Sequence, residues 1–279
     1  MNYYMDSEFL EGTQEKRMFG IKYGQTKPTI DLISIALVAE DGREFYSISK
    51  DFNLKEAWNR YDLKVEKMYG DARNIFPDGR KYKEYWIREN VLKPIFEELF
   101  EEYVYADDYK GSVDMKFEYD NLKFLINKYG KTNKQIAEEI KEFTNPVQNM
   151  DKNIPDYMQV PEQFKTDYSK PQFYGYYSAY DHVVFCWLFG KMIDLPKGFP
   201  MYCNDLKQTF DERVNSIIGT EFITFNTLQF EGKKTSSRNF HDYEKLLKNH
   251  SKYPKQTNSH NALADARWNK QLHEFLKTL

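Results

Sequence analysis

The chain has 279 residues, 41% of them hydrophobic and 30% charged, with a formal net charge of −3. That length and balance suit a soluble globular protein with a sizeable core, and no apolar run reaches the roughly 18 residues of a membrane span. A slightly acidic chain does not coat duplex nucleic acid by neutralising phosphates, but it can act on a strand end, where few phosphates are held and metal ions supply positive charge.

Residues 3–10 are apolar and rich in aromatics, and they read as a first strand. Side chains alternate along a strand, so Asp6 and Glu8 point to one face. Two carboxylates there repel each other and are costly to desolvate without a partner, and a divalent cation would satisfy both. Two solvated acids on an edge strand are the alternative, and the same spacing recurs at Asp242-Tyr243-Glu244. Residues 11–28 carry Gly12, Gly20, Gly24 and Pro28 and read as a loop or flexible hairpin. Two β-rich runs within 29–50 flank Asp41-Gly42, a hairpin signal, so the three N-terminal strands form an antiparallel meander.

Residues 53–104 look helical, most firmly from Trp86 to Val104, where Ile87, Val91, Ile95, Leu99 and Tyr103 recur every four residues. Pro94 predicts a kink or break there, and Glu97, Glu98, Glu101 and Glu102 read as a solvated helix face. A second helix over 132–143 opens on Thr132 and Gln135 in capping-box spacing. Residues 144–172, with Pro146, Pro155, Pro161 and Pro171, read as a long loop. A fourth strand over 173–178 precedes a helix from Ala179 to Phe189, ended by Gly190. Residues 200–203 suggest a short fifth strand, followed by a helix through Leu206 and Phe210. Residues 232–255 read as irregular and locally basic, and the last helix covers 262–279. Cys186 and Cys203 lack zinc-site spacing and read as reduced thiols of a cytosolic protein, and the N-terminus lacks the pattern of a signal peptide.

Three residues stand out against these elements. Asp181 shares a helical face with Val184, Phe185 and Leu188, so it sits at the edge of the core; the Ser178-x-x-Asp181 spacing also fits a helix cap, and the two roles are compatible. Asp265 lies beside Trp268, Asn269 and Leu272 in the first turn of the last helix, where the helix dipole favours an acid. His260 is five residues before Asp265, which lets a loop-borne imidazole lie near that carboxylate; the alternative is a structural or solvated histidine.

The order of these signals is Asp-x-Glu on the first strand, Asp at the start of the helix after strand four, then His-x4-Asp entering the last helix. In this the chain resembles the DEDDh family of 3'-5' exonucleases, and more closely the small bacterial 3'-5' exoribonucleases described as polyadenylate-specific. The resemblance is carried by Asp6-Ser7-Glu8-Phe9-Leu10-Glu11, the run from Leu32 to Glu44, Tyr180-Asp181-His182-Val183, and His260-Asn261-Ala262-Leu263-Ala264-Asp265-Ala266. It covers about residues 1–50, 86–104, 173–212 and 256–279.

The resemblance implies an α/β, ribonuclease H-like fold: a mixed five-stranded sheet with helices on both faces, enlarged by largely helical and loop insertions. One exonuclease domain would then span 1–279, with unmatched insertions at about 53–85, 105–170 and 213–255. It further implies a cytoplasmic, metal-dependent exoribonuclease acting on the 3' ends of single-stranded or short RNA, with two Mg²⁺ or Mn²⁺ ions as cofactors. Asp6 would bridge both ions, Glu8 and Asp265 would hold the ion that binds the attacking water, Asp181 would hold the other, and His260 would take a proton from the water. Phe9 and Leu10 would pack on the terminal base and Glu11 would touch the sugar; ordinary core packing is the other reading of Phe9. The basic stretch 233–255 reads either as a phosphate guide or as a solvated surface. A DNA exonuclease and a non-catalytic nucleic-acid-binding module remain the alternatives, no membrane partner is expected, and family analogy suggests a homodimer.

Overall fold

The computed structural model describes residues 1–70, 72–106, 115–144, 170–230 and 240–279. Its main sheet has five strands in the order β5 (Glu44–Ile48), β4 (Thr29–Ala39), β1 (Asn2–Gly12), β8 (Gln172–Gly175), β9 (Asn204–Asp205). Strand β1 is Asn2–Gly12, and a small β2 (Glu15–Met18) and β3 (Ile21–Gln25) hairpin follows it. β4 (Thr29–Ala39) and β5 (Glu44–Ile48) are joined through Asp41-Gly42, where Gly42 takes φ +93° and the Ala39 N–H donates to the Arg43 carbonyl at 2.8 Å. The expected meander therefore forms. β4 is buried along its last eight residues, as a central strand covered on both faces must be.

Helix α1 is Leu54–Asn59, capped by the Asn53 side chain, and α2 is a single turn, Ala72–Ile75. Between and after them lie β6 (Asp62–Glu66) and β7 (Arg80–Glu84), an antiparallel hairpin registered from Asp62↔Glu84 to Glu66↔Arg80. This corrects the helical reading of 53–104. The hairpin is exposed along almost all of both strands and carries cross-strand charges such as Lys64–Glu84 at 3.4 Å; Leu63 and Val65 alternate with charged residues along β6, a period-two signal that the helical reading passed over. Helix α3 (Lys93–Ala106) is entered through a wider π-turn at Arg88–Leu92. Pro94 has no N–H to give, and just ahead of it the Lys93 N–H reaches back five residues to the Arg88 carbonyl, so the helix widens instead of breaking.

α4 (Tyr119–Tyr129) was not foreseen; it buries Leu122, Leu125 and Ile126 on one face. α5 (Asn133–Thr144) opens on the expected reciprocal cap. Thr132 Oγ1 accepts from the Gln135 N–H at 3.2 Å, and Gln135 Oε1 accepts from the Thr132 N–H at 2.9 Å. Most of the proline-rich stretch read as a loop, residues 145–169, lies outside the described residues. β8 is Gln172–Gly175 and α6 is Ala179–Phe189, closed by Gly190 at φ +114°. β9 is Asn204–Asp205, not 200–203, because pairing with Tyr174 and Gly175 falls on those two residues. α7 spans Leu206–Phe230. α8 (Phe240–Lys248) corrects the irregular reading of that region: Tyr243 and Leu247, four apart, are its buried anchors among charged neighbours. The basic residues Lys233, Lys234 and Arg238 lie outside the described residues. α9 is Ala262–Leu276.

The chain divides into two compact units. One comprises Met1–Asp6, Ile35–Tyr46 and Ala137–Leu279, the other Ser7–Ser34 and Ser47–Ile136. In the first, β1 and β8 run parallel with Tyr3 opposite Phe173 and Tyr4 opposite Tyr174, so each pair marks one face of the sheet. Tyr3 lies 5.8 Å from the ring of Phe143 in α5, and Phe173 lies 4.8 Å from Phe185 in α6. On the opposite face Tyr4 packs with Ala262 and Ala266 of α9, and Tyr174 stacks on His273 at 4.3 Å. Helices thus cover both faces. Alanine at 262 and 266 lets α9 approach β1 closely, and burying each of Tyr3, Phe173 and Phe185 contributes about 2 kcal/mol. In the second unit, Trp58 packs on Phe117 at 4.9 Å with the Arg88 guanidinium over its ring, and Phe117 also meets Phe96. Among the described residues no helix is long and apolar enough to cross a membrane.

Candidate functional site

Asp6 and Glu8 project from the same side of β1 as Tyr4, the side that α9 covers. Two polar bonds fix the height of α9 over that strand. The Asn269 side-chain amide donates to the Met5 carbonyl at 2.9 Å, and the Tyr4 hydroxyl meets His273 Nδ1 at 3.0 Å. Asp265 is one turn before Asn269 on the same buried stripe, with Trp268, Asn269 and Leu272 buried beside it as expected.

The start of α9 is built to aim Asp265. Asn261 is the N-cap, its Oδ1 accepting from the Ala264 N–H at 3.0 Å. The Asp265 carboxylate accepts twice, from the Gln256 side-chain amide at 2.5 Å and from the His260 backbone N–H at 2.9 Å. The second of these bonds comes from the His260 peptide, with His260 in the left-handed region at φ +68°. A non-glycine residue takes that conformation at a cost, and such residues gather where function constrains the backbone.

One potential ligand atom from each of Asp6, Glu8 and Asp265 lies within 4.8 Å of the other two. Asp265 is only 8% exposed, while Asp6 and Glu8 are half-buried. The three donors are hard oxygens. Around an octahedral Mg²⁺ ion adjacent ligand oxygens are about 3 Å apart and opposite ones about 4.2 Å, so the three carboxylates would draw closer to share one cation.

Asp181 does not belong to this group. It is buried in the first turn of α6, on the face carrying Val184 and Phe185, as its spacing predicts. The Ser178-Asp181 cap is not realised: Ser178 occupies the N-cap position without a side-chain capping bond. Burial and the Asp181 and Asp205 carboxylates nearby push the Cys203 thiol up to about 12, against a hydrogen bond from Ser178. Gly175 sets the junction between β8 and α6. A Cβ there would lie 2.7 Å from the Ser178 Cβ and 3.2 Å from the Met5 carbonyl oxygen, next to Asp6.

Of the expected substrate contacts, Leu10 is fully buried, Phe9 half-buried and Glu11 exposed, so surface is offered by Phe9 and Glu11. The second Asp-x-Glu, at Asp242 and Glu244, lies on α8. Glu244 pairs with Lys248 at 2.9 Å and Lys207 at 3.9 Å, and the Lys248 hydrogen bond holds its carboxyl below the usual range. Sequence reasoning missed Asn261, Gln256, Asn269 and Gly175. Asn261 could have been found as a capping residue before a periodic apolar run, and Asn269 as a polar residue on a buried stripe. Gln256 carried no such signal, because its contact is made across a loop.

No protein-family model matches the chain. Over 213 residues it is 22% identical to a Mycobacterium tuberculosis protein named 3'-5' exoribonuclease in strain CDC 1551, the match covering 76% of each chain. A protein of the same name from strain H37Rv matches equally, 22% over 213 residues.

Proposed function

We propose that this chain is a metal-dependent 3'-5' exoribonuclease of the DEDDh type, acting on single-stranded or short RNA. The observation that carries the reading is the meeting of Asp6 and Glu8, on the first strand, with Asp265, on the last helix. The relatives named 3'-5' exoribonuclease support it independently. In this reading Asp6 would serve both of two Mg²⁺ or Mn²⁺ ions, Glu8 and Asp265 would hold the one that activates water, and Asp181 would hold the other. When bound, such ions lower the pKa of water and stabilise the leaving 3'-oxygen.

The protein's own groups do the rest. The His260 imidazole takes a proton from the attacking water, as a general base. The hydrogen bonds from Gln256 and the His260 N–H hold Asp265 in one orientation, so little reordering accompanies metal binding. Asp181, buried in the first turn of α6 and outside the three-acid group, would be left to serve the second ion. Phe9 packs against the terminal base and Glu11 touches the sugar, where a 2'-hydroxyl separates RNA from DNA.

The test is to incubate 5'-labelled RNA and DNA of one sequence with the purified chain, with Mg²⁺, with Mn²⁺ and with EDTA. RNA shortened stepwise from its 3' end in metal, intact in EDTA, and intact with Asp6→Ala is the expected result. Full activity of Asp6→Ala, or no degradation of either strand with metal supplied, would overturn the proposal. Preference for DNA would move the assignment to a DNA exonuclease.

A further inference from the structure

The β2–β3 hairpin closes through a two-residue turn, Phe19-Gly20, with φ +50° and +83°. Two successive positive φ values are what a type I′ turn requires, and Asn-Gly or Asp-Gly fills it best. An aromatic residue at its first position is disfavoured, and burial does not compensate, because Phe19 is 97% exposed. The pairing slips between Lys16↔Gly24 and Arg17↔Lys22, which leaves Tyr23 as the extra residue of a bulge, 63% exposed. Bulges re-aim side chains. The turn and the bulge therefore hold both aromatic rings in solvent.

The hairpin is also basic in a chain that is not. Residues 15–27 carry Lys16, Arg17, Lys22 and Lys27 against the single acid Glu15, whereas the whole chain has a net charge of −3. Lys22 is paired with Glu15 at 2.8 Å; Lys16 and Lys27 are exposed. Exposed aromatics interleaved with cations are the chemistry that holds single-stranded nucleic acid without reading its sequence.

We infer that this hairpin is an arm that grips single-stranded RNA, with Phe19 and Tyr23 stacking on bases and Lys16 and Lys27 meeting phosphates. The inference rests on the exoribonuclease reading and explains how a net-acidic enzyme retains a polyanion. A second copy of the chain is the poorer occupant, since a two-fold contact would set two identical basic arms against each other.

The experiment measures binding of a fluorescein-labelled 12-nucleotide RNA to the full chain in EDTA, alongside metal-dependent hydrolysis of a dinucleotide. Phe19→Asn suits the turn and preserves the hairpin; it should weaken binding about fivefold or more and leave dinucleotide hydrolysis unchanged. Phe19→Trp should retain or tighten binding, which a merely structural role would not predict, and Tyr23→Thr should add to the loss. Equal affinity of Phe19→Asn and wild type overturns the arm, as does a variant that turns a dimer into a monomer while binding RNA normally. If wild type hydrolyses nothing yet Phe19→Asn still weakens binding, the arm stands and the nuclease reading falls.

Discussion

Replacing Asp6 by asparagine removes one charge from a group of three carboxylates whose ligand atoms lie within 4.8 Å of one another. At that separation and an effective dielectric of about 20, one like-charge pair costs about 3.5 kcal/mol. Asp6 and Glu8 are only half-buried, so water screens roughly half of it, leaving about 2 kcal/mol per pair. Asp6 takes part in two pairs, and an amide gives back some hydrogen-bond strength, so Asp6→Asn should stabilise the metal-free protein by about 2 kcal/mol. The wild type should gain instead from metal: about 1.4 kcal/mol at 10 mM Mg²⁺ if Kd is about 1 mM. The lead of the variant over wild type should therefore shrink in Mg²⁺, from about 2 to about 0.6 kcal/mol. The variant should melt above wild type in EDTA, by about 4–8 °C for a chain of this size class, and lose the Mg²⁺-dependent rise. A variant that melts lower in EDTA and keeps the full Mg²⁺ shift would refute the claim that these acids are held together for a cation.

Asn269→Ala strands the buried Met5 carbonyl and unpins α9 from β1; it should cost about 1–3 kcal/mol by urea denaturation and raise the Mg²⁺ concentration for half-maximal stabilisation. Gly175→Ala forces a methyl to 2.7 Å from Ser178, so a loss of about 1–3 kcal/mol and weaker metal binding are expected, whereas an unchanged melt would mean that the strand–helix junction yields freely. Burial lowers the His273 imidazole to about 4, so the folded protein resists a proton that the unfolded chain accepts below about 6.5. Its contribution is complete above about pH 6.5 and is lost as pH falls toward 4, by about 3 kcal/mol in all; His273→Gln should flatten that part of the stability–pH curve.

Where local chemistry decides conformation, the elements were legible from residues alone. Asp41-Gly42 closes its hairpin, Thr132 and Gln135 cap α5 reciprocally, and Gly190 ends α6. The buried acids Asp181 and Asp265 were legible for the same reason, since helical spacing alone puts them on apolar faces. The β6–β7 hairpin and α8 were not read: the first alternates Leu63 and Val65 with charges but buries neither, and the second has only two buried anchors.

The linear order of Asp6, Glu8, Asp181, His260 and Asp265, and the face each acid takes, were written in the sequence, because period-two and period-3.6 geometry depends only on neighbours along the chain. Which acids meet was decided by the packing of α9 on β1, through Ala262, Ala266 and the Asn269 bond to Met5. The peptide N–H of His260 and the amide of Gln256 became partners of Asp265 only because a loop folds back on the helix start. Such contacts depend on the path of the backbone between elements, and no local spacing encodes that path.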